Sequence, residues 1–353
     1  MKVALVTDTH FGARSDSLAF DKYFAKFYDE TFFPYLVEHD IKTICHLGDI
    51  FDRRKYINFN TLRSCKRYFF DKAQDLGIDI HMIPGNHDTY FKNTNDVNSP
   101  DLLLGEYNNI ILYQEPTEIM LDREKVLYLP WICGENYDRT MAKITETDAK
   151  TCFGHFEFAG YYLLPGMPNL HGMDTDAFIN FDLVVSGHFH HRHSRGNITY
   201  MGNPYEITWS DYKDPRGFAI YDTVERALEY IDNPFRIFHK IYYDDSSFDG
   251  CNAIEHFDFS SIAGTSIKLI VNKKTDFKKF DNFVDKLYTY NLIDLKIIED
   301  FSEFEDEALG EDIDLEDTMT LLKEYVDVVE TDLDKQRIKN LLQSLYLEAQ
   351  DTT

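Results

Sequence analysis

Five short apolar runs recur through the first 190 residues, and each breaks off at a polar cluster: VALVT at 3–7, TICHL at 43–47, IDIHMIP at 78–84, KTCF at 150–153 and DLVVS at 182–186. Apolar runs of this length read as strands. Helical spacing fills the gaps. Phe20, Tyr23, Phe24, Phe27, Tyr28 and Phe32 recur at three- and four-residue intervals within 16–38, which predicts a helix that buries its aromatic face. A second helix is expected over 58–76. Within 100–146 the pattern predicts a short helix, strands around 117–121 and 125–130, and a further helix; from 198 to 241 short strands follow one another and are expected to close a second sheet. The fold class this implies is α/β (α+β), a two-sheet β-sandwich flanked by helices.

Near residue 250 the pattern changes. SIKLIVN at 266–272, a helix near 276–290 and LIDLKIIE at 292–299 form a compact βαβ unit. DFSEFEDEALGEDID at 300–314 is charged and poor in periodic apolar positions, as a linker is. Two amphipathic helices follow, one at about 315–328 lined by Leu315, Met319, Leu322 and Val326, the other at 332–349 lined by Ile338, Leu341, Leu342, Leu345, Tyr346 and Ala349. The expected organisation is a main domain at 1–245, a small domain at 250–300, a linker at 301–314 and a helical segment at 315–353. A helix pair this short is marginal alone and must dock, either on its own globular body or on a partner.

The polar clusters carry the chemistry. They are DTHFG at 8–12, GDIFDR at 48–53, GNHD at 85–88, GHFE at 154–157 and GHFHH at 187–191. Taken singly, D-x-H is an ordinary hydrogen-bonded loop pair, GD-x-x-D a helix N-cap and GHFHH a His-rich loop. All five at strand exits instead bring carboxylate, amide and imidazole donors to one rim, a set that suits Mn²⁺, Fe or Zn²⁺ better than Ca²⁺. Glycine before the ligand in four blocks, at Gly48, Gly85, Gly154 and Gly187, is expected to let the backbone turn sharply, including through positive φ.

On these blocks the chain resembles the calcineurin-like metallophosphoesterases. GHFE, LPW at 129–131, GNPYEITW at 202–209 and DPRGF at 214–218 make it similar, within that superfamily, to SbcD-type DNA-repair nuclease subunits, including the recombination-endonuclease subunit of tailed bacteriophages. The resemblance implies two divalent ions, Mn²⁺ foremost with Mg²⁺, Fe or Zn²⁺ as alternatives. The first would be held by Asp8, His10, Asp49 and His190, the second by Asp49, Asn86, His155 and His188, with Asp49 bridging. It places His87 against the scissile phosphate as general acid or transition-state stabiliser. Asp52 stands where archaeal and eukaryotic members have histidine, so its expected role is to orient Arg53, His87 or a ligand. The implied function is a Mn²⁺-dependent DNA nuclease, exonucleolytic on duplex ends and endonucleolytic on single strands, in an SbcCD-like recombination and repair complex. The βαβ unit would cap the site, residues 315–353 would grip the coiled-coil root of an SbcC-like SMC-type ATPase, and helices of the main domain would build a homodimer face. A metallophosphatase or cyclic-nucleotide phosphodiesterase is the alternative, because GDIFDR is close to the GD-x-x-DR of protein phosphatases. A dead scaffold is a third class, against which the complete ligand set speaks.

Charge complicates the nuclease reading. The chain carries a formal −26, yet residues 300–353 hold 17 Asp/Glu against 4 Lys/Arg, net −13, which is half of it. Two basic clusters, Arg53, Arg54 and Lys55 and then Arg192, His193 and Arg195, read either as substrate contacts or as solvated surface. Five cysteines (Cys45, Cys65, Cys133, Cys152 and Cys251) without C-x-x-C spacing are expected to be free thiols in a reducing compartment. No run approaches the ~20 apolar residues of a membrane span, and no basic, apolar leader precedes the first strand. Together these predict a cytoplasmic protein, in the host cytoplasm if phage-encoded.

Overall fold

A strand that is apolar throughout needs cover on both faces, and two sheets can each supply the other with one of them. The computed structural model describes residues 1–246 and 257–299 together with Lys335, Ile338 and Lys339, so the linker at 300–314 and the helices expected within 315–353 lie outside the described residues. The chain divides into two units, Met1–Glu299 and Asp300–Thr353. The strands of the first are β1 (Lys2–Val6), β2 (Thr43–His46), β3 (Asp79–Met82), β4 (Ile110–Leu112), β5 (Thr117–Leu121), β6 (Glu124–Leu129), β7 (Thr151–His155), β8 (Tyr162–Leu164), β9 (Met167–Pro168), β10 (Leu183–Gly187), β11 (His193–Arg195), β12 (Ile198–Tyr200), β13 (Gly217–Asp222), β14 (Ala227–Asp232), β15 (Phe238–Asp244), β16 (Ser266–Lys273) and β17 (Asp294–Glu299).

Twelve of them form two six-stranded sheets, ordered β14-β13-β1-β2-β3-β4 and β11-β12-β10-β7-β6-β5. Side chains alternate between two cores. Val3, Leu5, Cys45, Tyr128, Phe153 and Val185 meet between the sheets, whereas Ala4, Val6, Ile44 and Ile80 face the helices over the first sheet and Leu127, Cys152 and Val184 lie in the core outside the second. The aromatic helix runs as Leu18–Phe27, a π-turn at Tyr28–Phe32 and Phe33–Glu38. Its six expected aromatics are all buried, and Phe24 stacks on Tyr205 with ring centroids 3.8 Å apart. The second helix starts at Phe59, where the Asn58 side chain accepts the Asn60 N–H as N-cap.

The stretch 198–241 is where the structure departs from the pattern. Instead of closing one sheet, its strands are dealt to three. β12 pairs with β10 in the second sheet, β13 turns back to lie antiparallel to β1 in the first, and β15 joins β16 and β17 in a separate three-stranded sheet. That small sheet is parallel throughout. Phe280, Phe283 and Leu287 of the helix Phe277–Tyr288 cover Ile241, Tyr243, Ile267, Leu269 and Val271. Glu206 fastens its root, accepting the N–H groups of Ile237 at 2.8 Å and Phe238 at 3.0 Å. Among the described residues no helix is long and apolar enough to cross a membrane.

Candidate metal centre

The loops leaving β1 and β2 run side by side and prolong the parallel ladder of their strands. The Asp8 N–H donates to Gly48 O at 3.0 Å, His10 N–H to Asp49 O at 3.1 Å and Phe11 N–H to Ile50 O at 2.9 Å. Holding that ladder while turning into the rim puts Asp8 (φ 52°), His10 (φ 41°) and Asp49 (φ 54°) in the left-handed region, where His188 (φ 89°), just past β10, also lies, at about 1–2 kcal/mol each. The four glycines therefore act differently from expectation. Of them only Gly48, at φ 94°, uses positive φ. At the other three a Cβ would collide, 2.2 Å from Asp49 Oδ1 at Gly85, 1.9 Å from the Phe156 ring at Gly154 and 2.1 Å from Thr7 Oγ1 at Gly187. The ligands make the turns and the glycines make the room.

Two groups of donors result. Asp8, His10 and His190 form one, Asp49, His155 and His188 the other, and within each the ligand atoms all lie within 4.8 Å of one another. In the first, His10 Nε2 and His190 Nε2 converge at 3.0 Å and each lies 4.0 Å from Asp8 Oδ1. In the second, Asn86 Oδ1 is 3.0 Å from His155 Nε2 and 2.8 Å from His188 Nδ1. Asp49 stands between the groups, its Oδ2 3.3 Å from His155 Nε2 and 3.8 Å from His10 Nε2. All seven side chains expected as ligands thus meet in one place, and Asp8, Asp49 and His155 are fully buried there.

Neighbours fix the free ends of these groups. His155 Nδ1–H donates to Leu47 O at 2.7 Å, which leaves Nε2 facing the centre. The His188 N–H donates to the Asp8 carboxylate at 3.0 Å. His87 lies beside both groups and its ring is held by Nδ1–H donating to the backbone carbonyl of Asp52 at 2.6 Å, while its own N–H donates to Asp49 Oδ1 at 2.8 Å. The Asp52 carboxylate faces His10 Nδ1 at 3.5 Å, an ion-pair distance. Asp52 therefore reaches a ligand through its side chain and His87 through its backbone; Arg53 turns elsewhere.

Three supporting residues stand outside the expected set. Asp88, the last letter of GNHD, is fully buried and accepts N–H groups from Gly85 at 2.8 Å, Ile50 at 3.0 Å and Phe51 at 3.2 Å, tying the third block to the second. Trp131 of LPW tilts over His188 with centroids 5.3 Å apart. Tyr205 donates to Thr9 O at 2.5 Å, between two ligands. All three stand in blocks that the sequence marks, GNHD, LPW and GNPYEITW, but the contacts of Trp131 and Tyr205 span gaps in sequence that no local pattern reveals.

Burial pushes the His188 imidazole down to about 3, assisted by positive His155, and pushes His190 well below the ordinary histidine range. His10 goes the other way, to about 9. Burial opposes its charge, but the carboxylates of Asp52, Asp49 and Asp8 prevail. His155 likewise rises to about 9 against burial, through Asp49 and Asp8. Asp49 is held well below the usual carboxylate range in spite of burial, chiefly by His155 and His87, whereas burial raises Asp8. Two buried carboxylates with converging imidazoles and an amide oxygen, and no thiolate, fit divalent cations of borderline hardness.

The basic clusters are largely spoken for. Arg53 pairs with Asp16 at 3.2 Å and donates to Tyr56 Oη at 2.7 Å. Arg192 pairs with Asp232 at 2.9 Å and lies over the Tyr230 ring. His193 is held within the chain. Its Nδ1–H donates to His191 O at 2.8 Å and its Nε2 accepts the Tyr162 N–H at 2.9 Å, so the ring is neutral and has no cation to offer a phosphate. Arg195 donates to Gly160 O at 3.3 Å and is otherwise exposed. Arg54 and Lys55 make no ion pair with any described residue and stay available. Four cysteines, Cys45, Cys65, Cys133 and Cys152, are buried free thiols; Cys251 lies outside the described residues.

The family model for calcineurin-like phosphoesterases matches residues 1–192. The chain is 31% identical over 355 aligned positions to Exonuclease subunit 1 of Enterobacteria phage T4, covering 99% of each protein. Among solved structures, an archaeal phosphodiesterase aligns with 66% of this chain and 99% of its own at 13% identity and a TM-score of 0.33. The nuclease MPE of Pseudomonas putida aligns with 64% and 87% at 17% identity and a TM-score of 0.29.

Proposed function

The chain belongs to the calcineurin-like phosphoesterase family, and on that premise we propose that it is a Mn²⁺-dependent DNA nuclease, cutting duplex ends exonucleolytically and single strands endonucleolytically. The observation that carries this reading is the convergence of Asp8, His10 and His190 with Asp49, His155 and His188 around one shared carboxylate. The phage relative is by name an exonuclease and a subunit, which supports the substrate class and a multi-subunit setting. Divalent ions in such a centre supply Lewis-acid stabilisation of phosphate oxygens and a water nucleophile at neutral pH.

The chain's own residues do the rest. Asp8, His10, Asp49 and His190 would hold one ion, and Asp49, Asn86, His155 and His188 the other. His87, with Nδ1–H fixed on Asp52 O, presents Nε2 to substrate and gives its proton to the departing sugar oxygen. Asp52 keeps His10 and His87 in register. Arg54 and Lys55 steer the nucleic-acid backbone. The small sheet with its helix would lie over the substrate as a cap.

The test offers purified protein labelled duplex DNA, single-stranded DNA and p-nitrophenyl phosphate, with Mn²⁺ or with EDTA. DNA hydrolysis that needs Mn²⁺ is expected. Hydrolysis of the phosphomonoester with DNA left intact would sink the nuclease reading in favour of a phosphatase.

We also assign the segment 315–353 to docking on an SMC-type coiled-coil ATPase in an SbcCD-like recombination complex, with a homodimeric nuclease in the host cytoplasm. The spacing of apolar residues in its sequence supports this, since helices of that length would be marginal unpartnered. Removing 315–353 is expected to leave basal DNA hydrolysis within about twofold and to abolish co-purification with a co-expressed SMC-type coiled-coil ATPase. Retained association would refute the assignment.

A further inference from the structure

The pairing of β13 with β1 in the first sheet brings an arginine onto the main chain of His190. Arg216 precedes β13, which lies antiparallel to β1 with Leu5 opposite Ala219, so its backbone is registered to the strand that delivers Asp8. Its side chain is 1% exposed. One terminal nitrogen is 2.8 Å from Asp211 Oδ1 and 2.8 Å from Asp214 Oδ2. The other donates to the backbone carbonyl of His190 and to Asn203 Oδ1.

Every point this fork touches is itself fixed. Asp211 accepts the N–H groups of Ile207 at 2.7 Å and Thr208 at 2.8 Å through its second oxygen. Asp214 accepts from His191 Nδ1 at 2.9 Å. The His190 carbonyl also accepts the Asn203 N–H at 3.3 Å, and behind it Gly202 (φ +72°) packs so closely that a Cβ would stand 2.6 Å from that oxygen. His190 thus has its main-chain carbonyl gripped by a buried guanidinium from another element. Buried ion pairs add little net stability over an apolar filling, so stability alone does not account for a guanidinium here. What its planar fork supplies is geometry, several acceptors held at fixed angles by one rigid group.

We propose that Arg216 is a positioning residue for the first metal site. It sets the His190 loop relative to β1, and hence the approach of His190 Nε2 to His10 Nε2 and Asp8. This rests on the metal-centre reading above. Arg216 touches neither ion nor substrate; it acts through His190.

Mn²⁺ titration of the full chain by calorimetry decides it, with two variants that disturb the same carbonyl from opposite sides. Arg216→Lys keeps a buried cation opposite Asp211 and Asp214 but lacks the fork that reaches His190 O, and Gly202→Ala pushes on that oxygen without touching Arg216. Each is expected to weaken one of two Mn²⁺ sites by about 10–100-fold and leave the other within about twofold, as loss of a ligand-orienting partner does. Adding Arg216→Lys to His190→Ala should change Mn²⁺ affinity no further. Should Arg216→Lys fail to fold, Arg216→Gln, which keeps a donor but lacks the fork, takes its place, with Gly202→Ala as the independent check on the same carbonyl. A wild-type protein with two Mn²⁺ sites that the folded variants bind unchanged would overturn the Arg216 assignment by itself. Equal weakening of both sites would also overturn it, because that is what a purely structural arginine does. A wild-type protein that binds no Mn²⁺ would overturn the metal centre together with it.

Discussion

Asp49→Asn is expected to leave the protein folded and to cut Mn²⁺-dependent DNA hydrolysis on the order of 10³-fold, with bound Mn²⁺ falling from two ions to at most one. The argument begins with the backbone. Asp49 sits at φ 54°, and asparagine is among the few residues that tolerate this region, so the exchange adds no strain. Asparagine Oδ1 can still accept the His87 N–H that Asp49 Oδ1 accepts at 2.8 Å. The oxygen facing His155 at 3.3 Å and His10 at 3.8 Å becomes an NH₂ group, which repels a cation and cannot bridge two. Without metal the exchange should cost some stability, because His155 and His87 hold the Asp49 carboxylate ionised in spite of burial. Losing several kcal/mol of metal-based transition-state stabilisation corresponds to about three decades in rate. Metal content by mass spectrometry, with initial rates on labelled DNA, checks both halves. Two retained ions with more than about a tenth of the activity would show that Asp49 does not bridge.

How far a sequence can be read depends on how local the determining interaction is. The convergence of the seven donors is legible because each block sits at the tip of an apolar run, and it follows once the runs are neighbouring strands. The glycines are legible only in part, because steric room is a property of what lies opposite: the Cβ missing at Gly187 would strike Thr7, and the one missing at Gly85 would strike Asp49. What the basic clusters pair with is hidden for a similar reason. Arg53 looks free beside Arg54 and Lys55 until Asp16 comes to meet it, and Arg192 until Asp232 does. The strands after residue 198 cannot be allotted from periodicity, because period two says which face is buried and not which neighbour a strand will take. Arg216 combines these difficulties. DPRGF marks it as part of a motif, but its work lies 26 residues away at His190 O.

His87 is the residue on which binding and chemistry should separate. It belongs to neither donor group, and its link to Asp49 runs through the main chain and survives substitution. His87→Asn is therefore expected to bind two Mn²⁺ ions like the wild type while losing about 10²–10⁴-fold in kcat on DNA, the range that positioned proton transfer contributes. The direction of transfer follows from the ring's anchorage. Nδ1–H is committed to Asp52 O at 2.6 Å, so Nε2 alone is free to carry a proton to the departing oxygen, and asparagine has no such group. A second substrate distinguishes proton donation from mere positioning. A nitrophenyl ester of a nucleotide expels an oxygen that needs no proton, so the variant should lose less than about tenfold there while the DNA rate collapses. If both substrates lost equally, His87 would be orienting the phosphate rather than protonating the leaving group. If neither lost more than about threefold, the proton would have to reach the leaving oxygen from another group.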